Sequence, residues 1–570
     1  MEKTDENPAD TTPSASPSTS TPSLPDSTIT PPLTQSNSNA VVNPHAKTFA
    51  PNYHFYLAFS SICVVTLMAA LDATSLGVAI PRITSTLHGT AIEGFWSGTA
   101  FLLTSTVFQP LFGSLSDIFG RKPLILLSLV FFALGAILCA VTQHSMTLLL
   151  VGRSIQGVGG GGILVLGEIV ITDLVPLRFR GQFYSLLGSM WAVGSVSGPL
   201  VGGAFAGRGE LWRWIFWINL PFIAIGAPLV VLFLNLYFKN TTFMQQLRRI
   251  DWVGGFLFIA STTGILIPIS WGGVMYSWSS WRTLVPLIVS ASGLAAFVVW
   301  EEKYAVEPLI RLRVMKTRTT AVTYLGDFLQ GLLLWCNLYY MPLYFQSIKG
   351  ASPIMSAIDL FPGTLTVAPT AIIVGLTTAK LGSYRWAIWS GWVLVTIGMA
   401  TRVVLHVHTS VPAWVIVNLI SGIGLGMLYP SLTLAIQAAI PNKDQAYGVS
   451  LFTFFRAAGQ CIGIAAGGTI FQNSLKQQIL RHPIIAMHAE EWAGNASALV
   501  ELIKQMPSGV AKDELLESFA RALVVVWLVM TALSVVGLVS SLFTQHFDLD
   551  RELETEQGLR SKEKVEVSSA

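Results

Sequence analysis

Long apolar runs make up most of this chain, and polar residues are confined to the short stretches between them. Nearly every run stays apolar over about 20 residues, which is enough for a helix to cross ~30 Å of hydrocarbon. Fourteen such runs lie at residues 55–80, 92–114, 123–141, 146–169, 181–205, 214–237, 252–271, 282–300, 319–341, 353–378, 386–405, 411–438, 446–472 and 520–543. The pattern therefore predicts an all-α integral membrane protein with fourteen transmembrane spans.

Both ends of the chain lack apolar runs. Residues 1–54 are rich in Ser, Thr and Pro, and such a composition buries too little apolar surface to fold. They also lack the charged start, the apolar core and the small-residue cleavage site of a signal peptide. We therefore expect a disordered N-terminal tail, a first span that serves as the insertion signal, and a loose polar tail over residues 544–570.

Glycines recur at matching intervals in two distant parts of the chain. At an offset of 265 residues, two sets correspond: Arg153, Gly157, Gly159 and Gly161 with Asn418, Gly422, Gly424 and Gly426, and Gly194, Gly198, Gly202 and Gly203 with Gly459, Gly463, Gly467 and Gly468. Internal repeats are typical of transporters that bind their substrate between two halves near the membrane midplane. We therefore expect two six-helix halves, at residues 55–237 and 319–543, with two inserted helices and their linkers at 238–318.

Lysine and arginine are distributed unevenly between the short loops on the two sides of the predicted membrane domain. About fifteen lie on the side of the termini and about six on the opposite side, and the richer side is normally the cytoplasm. Both termini should therefore be cytoplasmic. The long loop at residues 473–519 is then extracellular, and Asn495, in the sequence Asn-Ala-Ser, is a glycosylation acceptor on the correct side.

Composition excludes several classes of protein. Hydrophobic residues make up 52% and charged residues 11% of the chain, and the net charge of +3 is too small to indicate nucleic-acid binding. All four cysteines lie inside apolar runs, which indicates free thiols, and no His/Cys cluster has metal-ligand spacing. The glycine run at residues 159–162 lacks the Lys and Ser/Thr of a phosphate loop. We therefore expect no cofactor, no metal and no enzymatic activity, and we expect transport to draw on an ion gradient.

Several segments resemble the signatures of one family of membrane transporters. They are Leu71-Asp-Ala-Thr-Ser-Leu-Gly-Val-Ala-Ile-Pro81, Gly113-Ser-Leu-Ser-Asp-Ile-Phe-Gly-Arg-Lys122, Arg153-Ser-Ile-Gln-Gly157, Gly194-Ser-Val-Ser-Gly-Pro-Leu-Val-Gly-Gly203 and Trp212-Arg-Trp-Ile-Phe-Trp-Ile-Asn-Leu-Pro221. Over about residues 55–545 the chain resembles the major facilitator superfamily, in its branch of 14-span drug:proton antiporters. The Ser/Thr/Pro tail and the long loop before the last span are typical of fungal proteins.

The resemblance implies a proton-coupled efflux transporter that exports drugs, toxins or secondary metabolites by alternating access. Its partners would be an amphipathic small molecule, protons and the lipid bilayer. We expect a monomer in the plasma membrane, with the vacuolar membrane as the alternative. Two rival hypotheses stay open, an importer of the same fold for siderophores or basic amino acids, and a non-transporting membrane sensor. The Gly198-Pro199 pair counts against the importer.

The turn between spans two and three is the first candidate site. Gly113 and Gly120 would allow a sharp turn and a close approach of these two spans. Asp117 can pair with Arg121, which is followed by Lys122. Ordinary charges that orient the protein in the membrane are the alternative interpretation.

By resemblance, this turn clamps the cytoplasmic side of the first half against an acid at the end of span four. Asp173 is the first candidate for that acid, and Glu168 is the reserve. The second half keeps Gly375 and Gly382 at an offset of 262 residues, but Ala379 stands where the acid would be. Only the first half therefore keeps the full charged turn.

The antiporter motif of span five is the second candidate site. Its members are Gly194, Gly198, Pro199, Gly202 and Gly203. Proline removes a backbone donor and kinks a helix, and glycines at a spacing of four make a smooth face for close helix packing. The resemblance implies a hinge and seal that favours export, and simple packing by small residues is the alternative.

Charged residues inside the apolar runs are the candidates for proton coupling. A charge at such depth costs roughly 2.5–3.5 kcal/mol, so Arg153 should face a cavity or a partner, for which Asp72 is the candidate. Arg456 lies near the predicted midplane and could attract an anion or balance an acid of the other half, and Asp327 and Asp359 are further acids in predicted spans. Structural ion pairs and helix packing are the alternative roles.

The substrate cavity has four candidate residues, chosen because they are polar or aromatic and lie in predicted spans. They are Gln156, Trp191, Trp335 and Tyr339. Most other aromatic side chains should face lipid or lie at the membrane interfaces.

Overall fold

The computed structural model describes residues 49, 51–206, 209–237, 242–273, 275–494, 496–551, 553, 555, 557 and 558. Nearly all of the predicted N-terminal tail, the sequon residue Asn495 and the end of the C-terminal tail lie outside the described residues. The expectations for those parts of the chain stay predictions.

The described chain forms fourteen helices of at least 15 residues. They are α1 (Tyr53–Thr86), α2 (Ala91–Phe119), α3 (Arg121–Val141), α4 (Met146–Leu174), α5 (Leu177–Ala206), α6 (Asn219–Phe233), α7 (Trp252–Trp271), α8 (Trp281–Lys303), α9 (Arg318–Ser347), α10 (Phe361–Leu381), α11 (Arg385–Thr401), α12 (Val411–Ala439), α13 (Gln445–Ile479) and α14 (Val510–Ser541). Shorter α-helices lie at Trp214–Trp217, Phe243–Arg249, Pro353–Asp359, Ala489–Gly494 and Ala496–Gln505. The predicted all-α membrane fold is confirmed.

Eleven helical segments of the described chain are long and apolar enough to cross a membrane. The three long helices outside this set, α2, α5 and α9, have the length but carry many polar or small residues. Each of them packs on several other helices, which removes much of its surface from contact with lipid. The structure is therefore consistent with fourteen spans.

Three predicted span boundaries differ markedly from the structure. The predicted span at 353–378 is interrupted at Leu360, because a separate short helix, Pro353–Asp359, precedes α10. α14 begins at Val510 rather than at about 520, and α13 continues to Ile479 rather than ending at about 472. Hydropathy detects the part of a helix that lies in hydrocarbon, whereas helical hydrogen bonding continues into the polar residues beyond it.

The helices of the two halves pack in the same pattern. In the first half α1 contacts α5, and α4 contacts both α2 and α3. In the second half α9 contacts α13, and α12 contacts both α10 and α11. Each helix therefore has its equivalent eight positions later in the helix order, as the repeat in the sequence predicts.

Repeated glycines occupy equivalent contacts in the two halves. Gly194 lies against Ala70 of α1, and its counterpart Gly459 lies against Phe328 of α9. A side chain at either position would collide with the neighbouring helix. α5 continues through Pro199 as one helix from Leu177 to Ala206, and the kink expected there stays a prediction.

The two halves meet through α2 with α13 and through α5 with α10, which are equivalent pairs in the repeat. The inserted helices α7 and α8 pack on each other, and α7 also contacts α2 and α13. The insertion therefore lies beside one of the two seams between the halves.

The tail after α14 is not loose over its first part, contrary to the expectation for residues 544–570. Leu549 is fully buried and Gln557 is 7% exposed. Polar side chains of the membrane domain bind this segment, including Arg178, which donates to Asp550 at 2.7 Å. The charged composition of this segment predicts that it is solvated. In the structure its charged and amide side chains instead form hydrogen bonds with the membrane domain.

Candidate functional site

Arg121 is the centre of the turn between α2 and α3. Its side chain is buried between two acids: Nη1 donates to Asp117, and Nε donates to Asp173 Oδ2 at 3.0 Å. Nη1 also donates to Ser116 Oγ at 2.6 Å. The structure thus brings the end of α2, the start of α3 and the end of α4 together around one guanidinium, with Asp173 rather than Glu168 as the acid from α4.

The two glycines of the turn have different roles. Gly120 has a φ of +90°, which favours glycine, and it separates α2 from α3 without a longer loop. Gly113 does not face α3 as predicted, because it packs against Ser450 of α13 in the other half. The sequence cannot show this, since it does not reveal which face of α2 meets the second half. Lys122 donates to Val231 O at 2.6 Å and to Asn235 Oδ1 at 3.0 Å, which ties α3 to the end of α6.

Glu168 and Arg456 form an ion pair between the halves. Arg456 Nη2 of α13 lies 2.5 Å from Glu168 Oε1 of α4, and the side chains are 13% and 4% exposed. Tyr429 of α12 donates its hydroxyl to the same Oε1 at 3.3 Å. The Arg456 guanidinium also lies 4.8 Å from the ring centres of Tyr429 and Phe452. The acid held in reserve for the turn is therefore the partner of Arg456.

Three buried polar atoms in this region lack a hydrogen-bond partner among the described residues. They are Glu168 Oε2, Arg456 Nη1 and Asp327 Oδ2. Asp327 lies on α9 and is 1% exposed. Leaving a buried charged atom without a hydrogen-bond partner costs free energy.

Asp72 and Arg153 form a second ion pair, which lies entirely within the first half. Arg153 Nη1 lies 2.6 Å from Asp72 Oδ2, and both side chains are at most 1% exposed. Gln156 Nε2 and Asn219 Nδ2 each donate to Asp72 Oδ1 at 2.8 Å. Arg153 Nε also donates to Ser97 O at 3.1 Å. The network joins α1, α2, α4 and α6.

Gln156, a candidate for the substrate cavity, takes part in this network in the structure. It is fully buried, and while its amide nitrogen binds Asp72, its oxygen accepts from Arg153 Nη1 at 2.6 Å. The sequence places a polar residue in a span but does not show whether a nearby charge already uses it.

Asp359 is also placed differently from the prediction. It is the last residue of the short helix Pro353–Asp359, so it does not lie within α10, and it is half-buried.

Trp335 and Tyr339, two of the cavity candidates, stack on each other with ring centres 6.2 Å apart. Trp335 is buried and Tyr339 is 44% exposed. Trp191 is half-buried on α5.

Arg180 is a contact between the halves that sequence reasoning missed, since it was counted only as a loop charge. It is 3% exposed. Its Nη1 donates to Gln437 Oε1 at 2.8 Å and also to Gln445. Arg180 and Gln445 are 265 residues apart and are therefore equivalent in the repeat. The repeat in the sequence could have predicted this contact, because residues near a two-fold axis that relates two halves can contact their own counterparts.

Arg402 is a second missed charge. It is fully buried at the end of α11, and Nη2 donates to Asn418 Oδ1 at 3.0 Å and to Ser421 Oγ at 2.8 Å. Asn418 is the repeat counterpart of Arg153. The second half thus also buries an arginine, but it takes this residue from a different helix.

The chain resembles known transporters along most of its length. The family model of the Major Facilitator Superfamily matches residues 62–464. "MFS transporter L2" of Phoma sp. (strain ATCC 20986 / MF5453) is 53% identical over 530 residues, which is 93% of this chain and 88% of the relative. "MFS-type efflux pump LUC4" of Fusarium sp. is 36% identical over 546 residues, covering 94% and 95%. The solved structure of the proton:xylose symporter XylE matches with a TM-score of 0.53 at 14% identity, covering 82% of this chain and 99% of that one.

Proposed function

The chain belongs to the major facilitator superfamily, and we propose that it is a proton-coupled antiporter that exports amphipathic small molecules by alternating access. Membership of the family makes it a multi-pass membrane transporter and not an enzyme. The relative from Fusarium sp. is named an efflux pump, which supports export as the direction of transport. The proton, the substrate class and the roles of single residues are parts of the proposal.

The Glu168–Arg456 pair is the observation that carries the proposal. Its members belong to different halves and lie within 2.5 Å of each other in a buried region. The pair can therefore exist only while the halves are close together around it. Protonation of Glu168 removes its negative charge and weakens the pair, so the proton couples directly to the separation of the halves.

The position of the pair suggests which face it closes. Other bonds between the halves join α5 to α12 and α10 on the predicted cytoplasmic side, including Arg180 with Gln437 and Ser185 Oγ with Ala371 O at 2.7 Å. We propose that the deprotonated pair holds the cytoplasmic side closed. Proton uptake from outside would then favour opening toward the cytoplasm, and proton release inside would favour closure around a bound substrate. One such cycle moves a proton inward and a substrate outward.

Two further acids are candidates for the proton path. Asp327 is buried and has an unpartnered oxygen near the interhalf pair. Both oxygens of Asp72 already accept hydrogen bonds, from Arg153, Gln156 and Asn219, whereas Glu168 and Asp327 each have an oxygen without a partner. We therefore propose Glu168 and Asp327 ahead of Asp72 as proton carriers.

The turn around Arg121 would keep the cytoplasmic end of the first half rigid while the halves move. Arg121 joins α3 to Asp117 of α2 and to Asp173 of α4. We propose that this cluster lets the helices rock as one body. The stacked rings of Trp335 and Tyr339 are proposed as an apolar surface for the amphipathic substrate.

Transport in membrane vesicles of known orientation tests the proposal. A growth screen of cells with and without the protein against a panel of amphipathic toxins first supplies a substrate. That compound, in labelled form, should then accumulate in inside-out vesicles when their interior is acidic, and a protonophore should abolish the accumulation at constant ATP. Accumulation only in right-side-out vesicles would identify an importer instead, and accumulation that survives collapse of the gradient would refute proton coupling.

A further inference from the structure

The described residues between 545 and 558 form a strap across the predicted cytoplasmic side of the protein. The strap begins on the second half, just after α14. Gln545 O accepts a hydrogen bond from Tyr384 Oη at 3.0 Å, and the Gln545 amide donates to Thr319 Oγ1 at 3.1 Å. Arg551 Nη1 donates to Ile440 O at 3.2 Å. The first part of the strap is therefore fixed to α9, to the α10–α11 turn and to the end of α12.

The middle of the strap lies where the two halves meet. Both carboxylate oxygens of Asp550 accept from Arg178 Nη1 of α5, at 2.7 and 2.9 Å. The same arginine donates through Nε to Ala379 O of α10 at 2.7 Å. Asp550 thus binds a side chain that itself bridges the halves, and the neighbouring Leu549 is fully buried.

The end of the strap binds the turn around Arg121 in the first half. Thr555 Oγ1 donates to Asp173 Oδ1 at 3.0 Å. The side-chain oxygen of Gln557 accepts from the Arg121 amide at 3.2 Å, and its nitrogen donates to Ser116 O at 3.3 Å. Gly558 O accepts from the Tyr237 amide at 2.8 Å.

Gln557 binds two backbone groups of the α2–α3 turn. The Arg121 amide lies in the first turn of α3, where amides lack partners within their own helix. The Ser116 carbonyl lies in the last turn of α2 and already accepts the Gly120 amide at 3.0 Å. The Gln557 side chain therefore supplies a partner to the Arg121 amide and a second donor to the Ser116 carbonyl, and only 7% of the residue remains exposed.

The contacts that hold the two halves together on the cytoplasmic side, which include the Glu168–Arg456 pair, are called the cytoplasmic gate below. We propose that the strap is a further part of this gate, which latches the two halves together and must detach before the transporter opens to the cytoplasm. The strap is anchored on the second half at Gln545 and on the first half at Thr555 and Gln557. A rigid-body separation of the halves at this face must therefore break one set of anchors. The proposal rests on the alternating access proposed above, but it can be tested without substrate.

A reporter thiol under the gate measures the latch directly. Ser450→Cys is suitable because Ser450 is 4% exposed and contacts the α2 backbone, with its hydroxyl 3.5 Å from Gln109 O. The four native cysteines are first replaced by alanine. A membrane-impermeant maleimide is then applied to inside-out vesicles at fixed pH, without substrate. Truncation after Phe547 should raise the labelling rate roughly tenfold, since several hydrogen bonds that hold the gate closed are lost.

Two controls separate the latch from a general loss of structure. Truncation after Arg560 keeps the strap and should label at the full-length rate. The double variant Thr555→Val with Gln557→Leu keeps the volume of both side chains but removes their bonds to the first half, and it should label roughly tenfold faster. Thr555→Ser keeps the hydroxyl and should label as the unchanged protein does. If the protein truncated after Phe547 does not reach the membrane, the labelling rate of the double variant tests the proposal.

Equal labelling rates in the double variant and in the full-length protein would overturn the proposal. Faster labelling in a protein that moves no substrate under a pH gradient would uphold the strap and refute the proposed antiport instead. The two proposals therefore fail by different results.

Discussion

Neutralising Glu168 should release the cytoplasmic side of the protein from control by pH. In Glu168→Gln the side chain keeps its length and one acceptor oxygen, but Arg456 loses the only acid within ion-pair distance of it among the described residues. The rest of the cluster stays in place, since the Tyr429 and Phe452 rings still lie against the guanidinium. The variant thus mimics the protonated acid.

The size of the effect follows from the burial of the pair. Removing one member of a buried ion pair costs about 3–5 kcal/mol. The retained aromatic contacts and the amide of the new side chain offset part of this cost, which leaves about 2–3 kcal/mol against the closed state. Because about 1.4 kcal/mol corresponds to a factor of ten, the closed-to-open ratio should fall roughly 30- to 150-fold. A shift from 1:99 to 99:1 needs about 5.5 kcal/mol, so this one pair supplies about half of a full switch.

The Ser450→Cys reporter in inside-out vesicles measures this shift. Because the reactive thiolate fraction itself falls with pH, each rate is divided by that of a cysteine exposed in both states at the same pH. In the otherwise unchanged protein this relative labelling rate should rise as the pH falls, because protonation of Glu168 weakens the pair. In Glu168→Gln the relative rate should be high and independent of pH, and export should no longer follow an imposed pH gradient. Tyr429→Phe is the matched control, since it removes a hydroxyl bond of 3.3 Å but leaves both charges in place. It should change the labelling rate less than about threefold.

Retained pH dependence would refute this reasoning. If Glu168→Gln labels and exports with the pH profile of the unchanged protein at equal surface abundance, the proton acts at another acid. Asp327 and Asp72 would be tested next by the same reporter.

Three other experiments test separate parts of the structure. Asp117→Asn should leave insertion intact but reduce export at least tenfold, measured with labelled substrate at equal surface abundance, and Ala379→Asp should not restore it; normal export would leave the turn only an orienting role. Arg153→Ala strands the Asp72 carboxylate in a fully buried site and should lower the free energy of unfolding in detergent by about 3–5 kcal/mol; an unchanged melting temperature would contradict the buried pair. Ser508→Cys in a cysteine-free background should react with an impermeant reagent from outside intact cells; protection there would contradict the predicted topology.

Contacts within one half were the more predictable part of the candidate site. A charge in an apolar run must have a partner, and this requirement led to the pairing of Arg153 with Asp72. The motif of the α2–α3 turn likewise led to Asp117 and Asp173 as neighbours of Arg121. Both sets of contacts lie within one half, although Asp72 and Arg153 are 81 residues apart on α1 and α4.

Contacts between the halves were less predictable. The pairing of Glu168 with Arg456 depends on how α4 of one half meets α13 of the other, which hydropathy does not encode. The same is true of Gly113, which packs on Ser450 rather than on α3. The repeat could have supplied one such contact, since Arg180 binds its own counterpart Gln445.

The C-terminal strap was missed for a different reason. Its residues are charged and polar, and such a composition normally indicates a solvated tail. Here the polar groups are matched to helix ends and buried charges of the membrane domain, as Gln557 and Thr555 illustrate. Composition indicates whether a segment is soluble in isolation. It does not indicate whether the rest of the fold offers hydrogen-bond partners or opposite charges to that segment.

The location of an ion pair decides whether its protonation can drive transport. A proton shifts a conformational equilibrium only if its binding free energy differs between the two states. In the proposed cycle the Asp72–Arg153 pair, which lies inside one half, would move with that half as a rigid unit, so its surroundings would change little. The Glu168–Arg456 pair joins the two halves and would break when they separate, so protonation of Glu168 would be coupled to that separation. The same reasoning applies to the strap, whose anchors on both halves make it sensitive to their separation, whereas contacts confined to one half only maintain its shape.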